Sequence, residues 1–208
     1  MTRPDISDYL AHFTTDRPPC SEDEDNPAKD FADQSAYDRL IAILQSKKIV
    51  ASKMPWTGRE ACCFTECPWS SLLAHAERYS SYGIGFAKPR IFAAGGGPVY
   101  YVRADHWEKQ QWDDLKTFVT PFWPHYRSHK FKDSKYLKGN TCDYTHEREW
   151  RIPHEFLFEY SQVEFVIVAT YEDMAKFPQE LKDGIGREKF LIMDQYRTIE
   201  NLWPVHIT

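Results

Sequence analysis

Glu147-Arg148-Glu149-Trp150-Arg151-Ile152 sets carboxylates, guanidinium groups and large apolar side chains side by side in one short run. Extended backbone sends successive side chains to opposite faces. Read as a strand, the run puts Glu147, Glu149 and Arg151 on one face and Trp150 and Ile152 on the other. The second face suits a core, and the first offers acid and base to a cleft. A carboxylate held this way can bind a sugar hydroxyl and stabilise positive charge developing at an anomeric carbon. The same pattern also fits a solvated edge strand with local ion pairs, which are individually weak.

Outward from this strand, short apolar runs alternate with helical periodicities. Tyr9 to Thr14, Ala61 to Thr65 (cut off by Pro68) and Gly83 to Phe86 read as strands. Val99 to Val102 follows a Gly95-Gly96-Gly97-Pro98 turn, and Val163 to Ala169 and Lys189 to Met193 supply further strands. Ser35 is placed to cap a helix with Asp38 three residues on, and Tyr37, Leu40, Ile41 and Leu44 share its apolar face. That helix ends near Lys47-Lys48, where positive charge suits a C-terminus. Ser70 to Tyr79, residues 105–123 and Asp173 to Asp183 read as more helices. Residues 16–34, with Pro18-Pro19 and Glu22-Asp23-Glu24-Asp25, form an acidic mobile loop, and residues 125–140 a basic, aromatic one. There is no repeat, and residues 1–208 read as one α+β domain.

Composition narrows the classes. The 208 residues are 42% hydrophobic and 15% aromatic, enough to build and cover one core. No run approaches the ~18–20 apolar residues of a membrane span, and Met1-Thr2-Arg3-Pro4-Asp5 opens no secretory signal, so a cytoplasmic protein is expected. Five cysteines, an odd number, suggest a reducing compartment rather than a disulfide framework. The net charge of −5 argues against general coating of nucleic acid. A local basic surface is another matter: Arg127, Lys130, Lys132, Lys135 and Lys138 interleave with Tyr126, Phe131 and Tyr136. That pattern suits a phosphate-bearing or single-stranded partner, or else a loop neutralising the acidic 22–25 cluster.

Other constellations carry less. His12-Phe13-Thr14 places donors and acceptors on short side chains at a strand end, fit for a ribose and an amide, or for purely structural bonds. Cys62, Cys63 and Cys67 lack a C-x-x-C pair, and the first two point to opposite faces, so they read as buried small hydrophobes and no metal is expected. Gly95-Gly96-Gly97 precedes a strand rather than a helix and is a turn, not a phosphate loop.

The order of these pieces resembles the AbiGi-like abortive phage-resistance family over most of residues 9–170. It runs through His12-Phe13-Thr14, Leu40-Ile41-Ala42-Ile43-Leu44, Cys63-Phe64-Thr65-Glu66-Cys67-Pro68, Tyr82-Gly83-Ile84-Gly85-Phe86, Pro98-Val99-Tyr100-Tyr101-Val102 and Glu149-Trp150-Arg151-Ile152-Pro153. The same layout is similar to the ADP-ribosyltransferases, most closely the DNA-modifying DarT branch. The resemblance implies a split, twisted β-sandwich with peripheral helices and NAD in the cleft between the two sheets. Carried over, His12, Phe13 and Thr14 would hold the NAD ribose or nicotinamide amide. Phe64 and Thr65 would line the nicotinamide slot, with Tyr79 or Tyr82 stacking on the ring. Glu149 would be the catalytic carboxylate, and Glu147 would orient the acceptor. Arg127, Lys130 and Lys132 would present that acceptor, a nucleic acid or a protein.

One departure is visible. DarT-like chains carry Phe-Thr-Pro-Arg where this one has Phe64-Thr65-Glu66-Cys67-Pro68, so Arg59, Arg78 or Arg151 would have to meet the NAD phosphate. The implied activity is transfer of ADP-ribose from NAD in phage defence, in a toxin–antitoxin setting with a cognate partner protein. The alternatives are a non-catalytic binding module on the same fold and, with water as acceptor, a NAD glycohydrolase.

Overall fold

The computed structural model describes residues 6–17, 25–66, 69–107, 109–122 and 143–202. Its strands are β1 (Tyr9–Phe13), β2 (Lys48–Ile49), β3 (Ser52–Lys53), β4 (Glu60–Thr65), β5 (Gly83–Ala87) and β6 (Gly97–Pro98), then β7 (Tyr100–Arg103), β8 (Val119–Phe122), β9 (Glu149–Ile152), β10 (Phe156–Leu157), β11 (Val163–Val168) and β12 (Phe190–Ile192). Its α-helices are α1 (Ala36–Ser46), α2 (Trp69–Arg78), α3 (Lys88–Ala93), α4 (Ala104–Trp107), α5 (Tyr171–Lys176), α6 (Gln179–Ile185) and α7 (Met193–Leu202). Eight strands form one mixed sheet in the order β12-β11-β5-β1-β4-β9-β6, with β3 added along β4. The α+β class read from the sequence holds.

The sheet is nearly divided at its centre. β1 pairs with β5 from Tyr9↔Ala87 to Phe13↔Gly83, yet meets β4 through the single pair Ala11↔Thr65. β4 then pairs with β9 from Cys62↔Ile152 to Thr65↔Glu149. Two halves thus share one bridge, which is the split expected of the sheet. His12 spans the joint: its Nδ1 donates to the Cys63 carbonyl oxygen at 2.8 Å, supplying a bond where ladder pairing stops.

Register parity sorts the side chains. Leu10, His12, Ile84, Phe86, Cys62, Phe64, Trp150 and Ile152 share one face of the sheet. Ala11, Phe13, Gly83, Gly85, Cys63, Thr65, Glu149 and Arg151 share the other. The first face carries the main core, where Leu40 and Leu44 of α1 meet Phe64, Phe86, Phe156 and Phe158. Phe156 stands edge-on to Phe86 and to Phe64, with ring centroids 5.0 and 5.8 Å apart. Each such ring removes roughly 150–250 Å² from water, adding to the Leu, Ile and Val side chains that make up most of this core. On the second face Phe165 lies over Gly85 so closely that a Cβ there would stand 2.2 Å from its ring. Ala76 of α2, Ile167 and Met193 of α7 complete that layer.

Local chemistry explains the helix ends. The Ser35 hydroxyl accepts from the Asp38 N–H at 3.1 Å, the cap that the sequence announces. Lys47 closes α1 in the left-handed region (φ 51°) rather than extending it.

Three sequence expectations change. The helix expected over 105–123 is only α4, a 3-10 turn at Asp113–Phe118 and strand β8. Asp113 takes φ 40°, Trp112 Nε1 turns back to the Trp107 carbonyl, and Val119-Thr120-Pro121 pairs in parallel with β7. The expected helix at 173–183 is broken between α5 and α6, where Pro178 cannot donate a backbone bond. Of the acidic loop 16–34, residues 25–34 include a 3-10 turn, Lys29–Phe31. Asn26, buried beside it, accepts from the Ala28 and Lys53 N–H groups through its side-chain oxygen.

Candidate active site

The candidate site begins where β9 begins. Arg148 adopts a left-handed conformation (φ 45°), so the strand starts at Glu149 and Glu147 belongs to the 3-10 turn Thr145–Glu147. The expected run of three aligned side chains therefore reduces to Glu149 and Arg151. These two form a forked pair: Arg151 Nε donates to Glu149 Oε1 at 2.8 Å, and its Nη2 to Oε2 at 2.7 Å. Arg151 Nη1 donates to the Thr117 and Val119 carbonyls at 2.8 and 3.3 Å, and Nη2 to Thr120 Oγ1 at 2.6 Å. All five guanidinium N–H groups are used, and the side chain is 2% exposed. Every donor of Arg151 is thus engaged within the fold.

Glu147 turns inward on its own. Tyr79, one residue past α2, donates its hydroxyl to both Glu147 oxygens, and Arg78 Nη1 lies 3.5 Å from Oε1. The backbone is fixed as well, because Thr65 Oγ1 and the Glu66 N–H both donate to the Glu147 carbonyl, at 2.6 and 3.3 Å. Burial pushes the Glu147 carboxyl above its ordinary 4.5, against the Tyr79 bond and the Arg78 charge. Tyr79 is likewise pushed up by burial and by the adjacent Glu147 charge. His75 stacks on Tyr79 with centroids 4.6 Å apart, and burial, with His146 and Arg78 nearby, pushes it down to about 4.

Around this pair lies a cationic and aromatic rim. Arg78 sits over the Tyr144 ring at 4.5 Å, near the exposed His146, and its carbonyl accepts from Arg17 Nη2. Of Arg59, Arg78 and Arg151, Arg78 is the partly exposed one beside Glu147. Arg59 is exposed on the loop before β4.

The remaining expected residues fall in two groups. Thr65 pairs with Glu149 in register, and Phe13 shares that face, its ring 4.8 Å from His75. His12, Phe64, Thr14 and Tyr82 are directed elsewhere. His12 lies on the opposite face, 5.8 Å from the Phe64 ring, with burial lowering its pKa. A carbonyl only accepts, so the His12 proton sits on Nδ1. Phe64 belongs to the core. The Thr14 hydroxyl donates to the Ala36 carbonyl at 2.7 Å and fastens β1 to α1. Tyr82 donates to Asp173 at 3.0 Å. Cys62 is buried and Cys63 half-buried, and both are free thiols. Arg127, Lys130 and Lys132 lie outside the described residues.

Beside Glu149 opens a cleft of about 290 Å³ lined by Ile6, Glu66, Pro98, Val99, Tyr101, Arg148, Glu149 and Trp150. Glu66 is tied down at its wall, accepting from Trp150 Nε1 at 3.1 Å and meeting Lys88 Nζ at 2.7 Å. The Tyr101 hydroxyl accepts from the Glu149 N–H at 3.1 Å. Sequence reasoning missed Tyr101, Lys88 and Thr120, whose roles arise from pairings across the sheet that no local spacing announces. Among the described residues, no group of three His, Cys, Asp or Glu side chains is arranged to hold a metal. No helix among them is long and apolar enough to cross a membrane.

Residues 42–120 match the family described as "Putative abortive phage resistance protein AbiGi, antitoxin". No curated protein matches the chain. Among solved structures, the chain is similar to DarT from Thermus sp. 2.9 in complex with NAD+, at 13% identity over 91% of this chain and 96% of that one, with a TM-score of 0.42. It is similar to the same protein with carba-NAD+, at 12% identity over 94% and 99% of the two chains and a TM-score of 0.40. A third similarity is to that protein in complex with ADP-ribosylated ssDNA, at 13% identity over 94% and 99% and a TM-score of 0.42.

Proposed function

We propose that this protein is a phage-defence ADP-ribosyltransferase that cleaves NAD and transfers ADP-ribose to a macromolecular acceptor, a nucleic acid. The observation that carries the reading is Glu149, a carboxylate fixed at a strand start by a buried guanidinium and bordering a cleft. The AbiGi match over residues 42–120 supports the defence setting.

The cleft fits part of the dinucleotide. Its volume of about 290 Å³ falls just below the ~300–1,000 Å³ usual for ligand sites, which suits the nicotinamide riboside half rather than the whole dinucleotide. Trp150 and Tyr101 offer aromatic surface, Glu149 a hydroxyl acceptor, and Arg148 a cation at the rim. Arg78 is the candidate for the phosphate.

NAD supplies a ribosyl group whose bond from C1′ to nicotinamide nitrogen breaks, the electron pair leaving with nicotinamide. Glu149 accepts a ribose hydroxyl and stabilises the positive charge at C1′, an electrostatic contribution that a prefixed carboxylate makes without reorganisation. Glu147, buried and with a raised pKa, takes the proton that the acceptor releases as its bond to C1′ forms. Arg127, Lys130 and Lys132 attract the acceptor, and their loss weakens its binding most at low salt.

A second reading is a non-catalytic module that binds a toxin partner or a phage component. Two observations favour it: both Glu149 oxygens already accept from Arg151, and Glu66, in the stretch that departs from the related Phe-Thr-Pro-Arg motif, is engaged by Lys88. Thermal unfolding with NAD separates the readings. Binding to the folded state alone at ~100-fold excess over Kd stabilises by about 2.7 kcal/mol, a clear rise in Tm. No rise at millimolar NAD favours the module.

A further inference from the structure

We propose that Arg151 is the positioning residue of the site: it sets the orientation of the Glu149 carboxylate toward substrate and never touches substrate itself. This rests on the transferase reading above. The geometry is specific. A guanidinium presents its donors in one rigid plane, so two parallel bonds to Glu149 fix the carboxylate's rotation as well as its place. The other side of that plane is fixed too. The Thr117 and Val119 carbonyls and the Thr120 hydroxyl accept its remaining N–H groups, so Arg151 cannot swing without breaking bonds to the segment that ends in β8.

Glu149 is therefore locked to β8 through Arg151, not through its own backbone alone. Of the four lone-pair sites of the carboxylate, Arg151 takes two and the Cys63 thiol a third, which leaves one for a ligand hydroxyl. The Cys63 thiol adjoins the same pair across the β4–β9 register, where Cys63 opposes Arg151. Side-chain rotation at Glu149 is thus confined from the strand, from β8 and from β4. A lock of this kind contributes to turnover while leaving substrate affinity almost untouched, because misplacing a reacting group by ~1 Å can cost ~100-fold in rate.

The test compares R151K and T120V with the wild type, reading nicotinamide release under saturating NAD with single-stranded DNA or RNA present and, separately, the NAD-induced rise in Tm. Lysine keeps the charge but replaces the planar fork with a single centre that cannot serve both carboxylate oxygens. Valine at 120 removes one acceptor of Arg151 and leaves Glu149 unchanged. The expected result is a fall in kcat of ~100-fold for R151K and ~10-fold for T120V, with KM and the NAD-induced shift preserved. Unchanged kcat in both variants overturns the assignment, as does a loss that appears only in KM. If R151K does not fold, T120V carries the same test. A wild type that binds NAD and releases no nicotinamide overturns the transferase reading itself, and its failure is visible in the control before any variant is compared.

Discussion

The Tyr79 hydroxyl donates to both carboxylate oxygens of Glu147, at 2.9 and 3.1 Å, joining residues 68 apart in the chain. The bond is directional and part-buried, and it fixes a carboxyl group whose protonated form burial favours. Two carboxylates thus stand in different surroundings within one short stretch, Glu149 facing a guanidinium and Glu147 a phenol. Pairs of acidic groups placed in contrasting environments are a recurring basis for dividing acid–base labour.

Glu147 gives a stability signature with a defined sign. Its folded pKa is raised above 4.5, so the folded protein keeps a proton that the unfolded chain has already lost. Its contribution to stability is full below the ordinary glutamate value and is lost as pH rises through the raised one. E147Q keeps a partner for Tyr79 and removes the titration. Melting temperatures measured from about pH 4 to 7 should therefore decline less with pH in E147Q than in the wild type. Parallel curves contradict the assignment.

His75 acts in the opposite direction. Its pKa falls from 6.5 to about 4, chiefly through burial, so the unfolded chain binds a proton that the folded one refuses. The neutral ring's contribution is present above pH 6.5 and is lost as pH falls toward 4. The full shift corresponds to roughly 3 kcal/mol. H75F keeps an aromatic ring beside Tyr79 and should lose less stability than the wild type on acidification. Equal acid sensitivity in the two proteins contradicts the burial of His75.

Gly85 tests the second face of the sheet. A methyl group there would meet the Phe165 ring at 2.2 Å, closer than any relaxed contact. G85A should cost roughly 1–3 kcal/mol in denaturant unfolding, the range for overpacking a tight core. F165A in the G85A background should recover part of that cost, because it removes the obstructing ring. Additive losses in the double variant place the strain elsewhere.

Much of the scaffold was legible because its signals are local. The Ser35–Asp38 cap, the apolar face of α1 and the short strands β1, β4, β5 and β11 all follow from spacing and residue type. The expected helix over 105–123 misled because Trp107, Trp112, Leu115 and Phe118 have helical spacing. The β-branched Val119-Thr120 and the left-handed Asp113 end it instead. At the site, the alternation in β9 correctly joined Glu149 to Arg151, but a left-handed Arg148 removed Glu147 from the strand. Parity within β1 separates His12 from Phe13, yet only the single Ala11↔Thr65 bridge shows which of them faces Glu149. Tyr79 was legible as an aromatic near the site, while its bond to Glu147 depends on how α2 crosses the sheet.

The most direct test of the central claim is nicotinamide release from NAD by the purified protein, with single-stranded DNA or RNA present, beside E149Q. The account predicts release by the wild type that depends on the nucleic acid and falls by at least ~1,000-fold in E149Q, with the NAD-induced rise in Tm retained. Equal release by E149Q, or none by a wild type whose Tm does not respond to NAD, contradicts it.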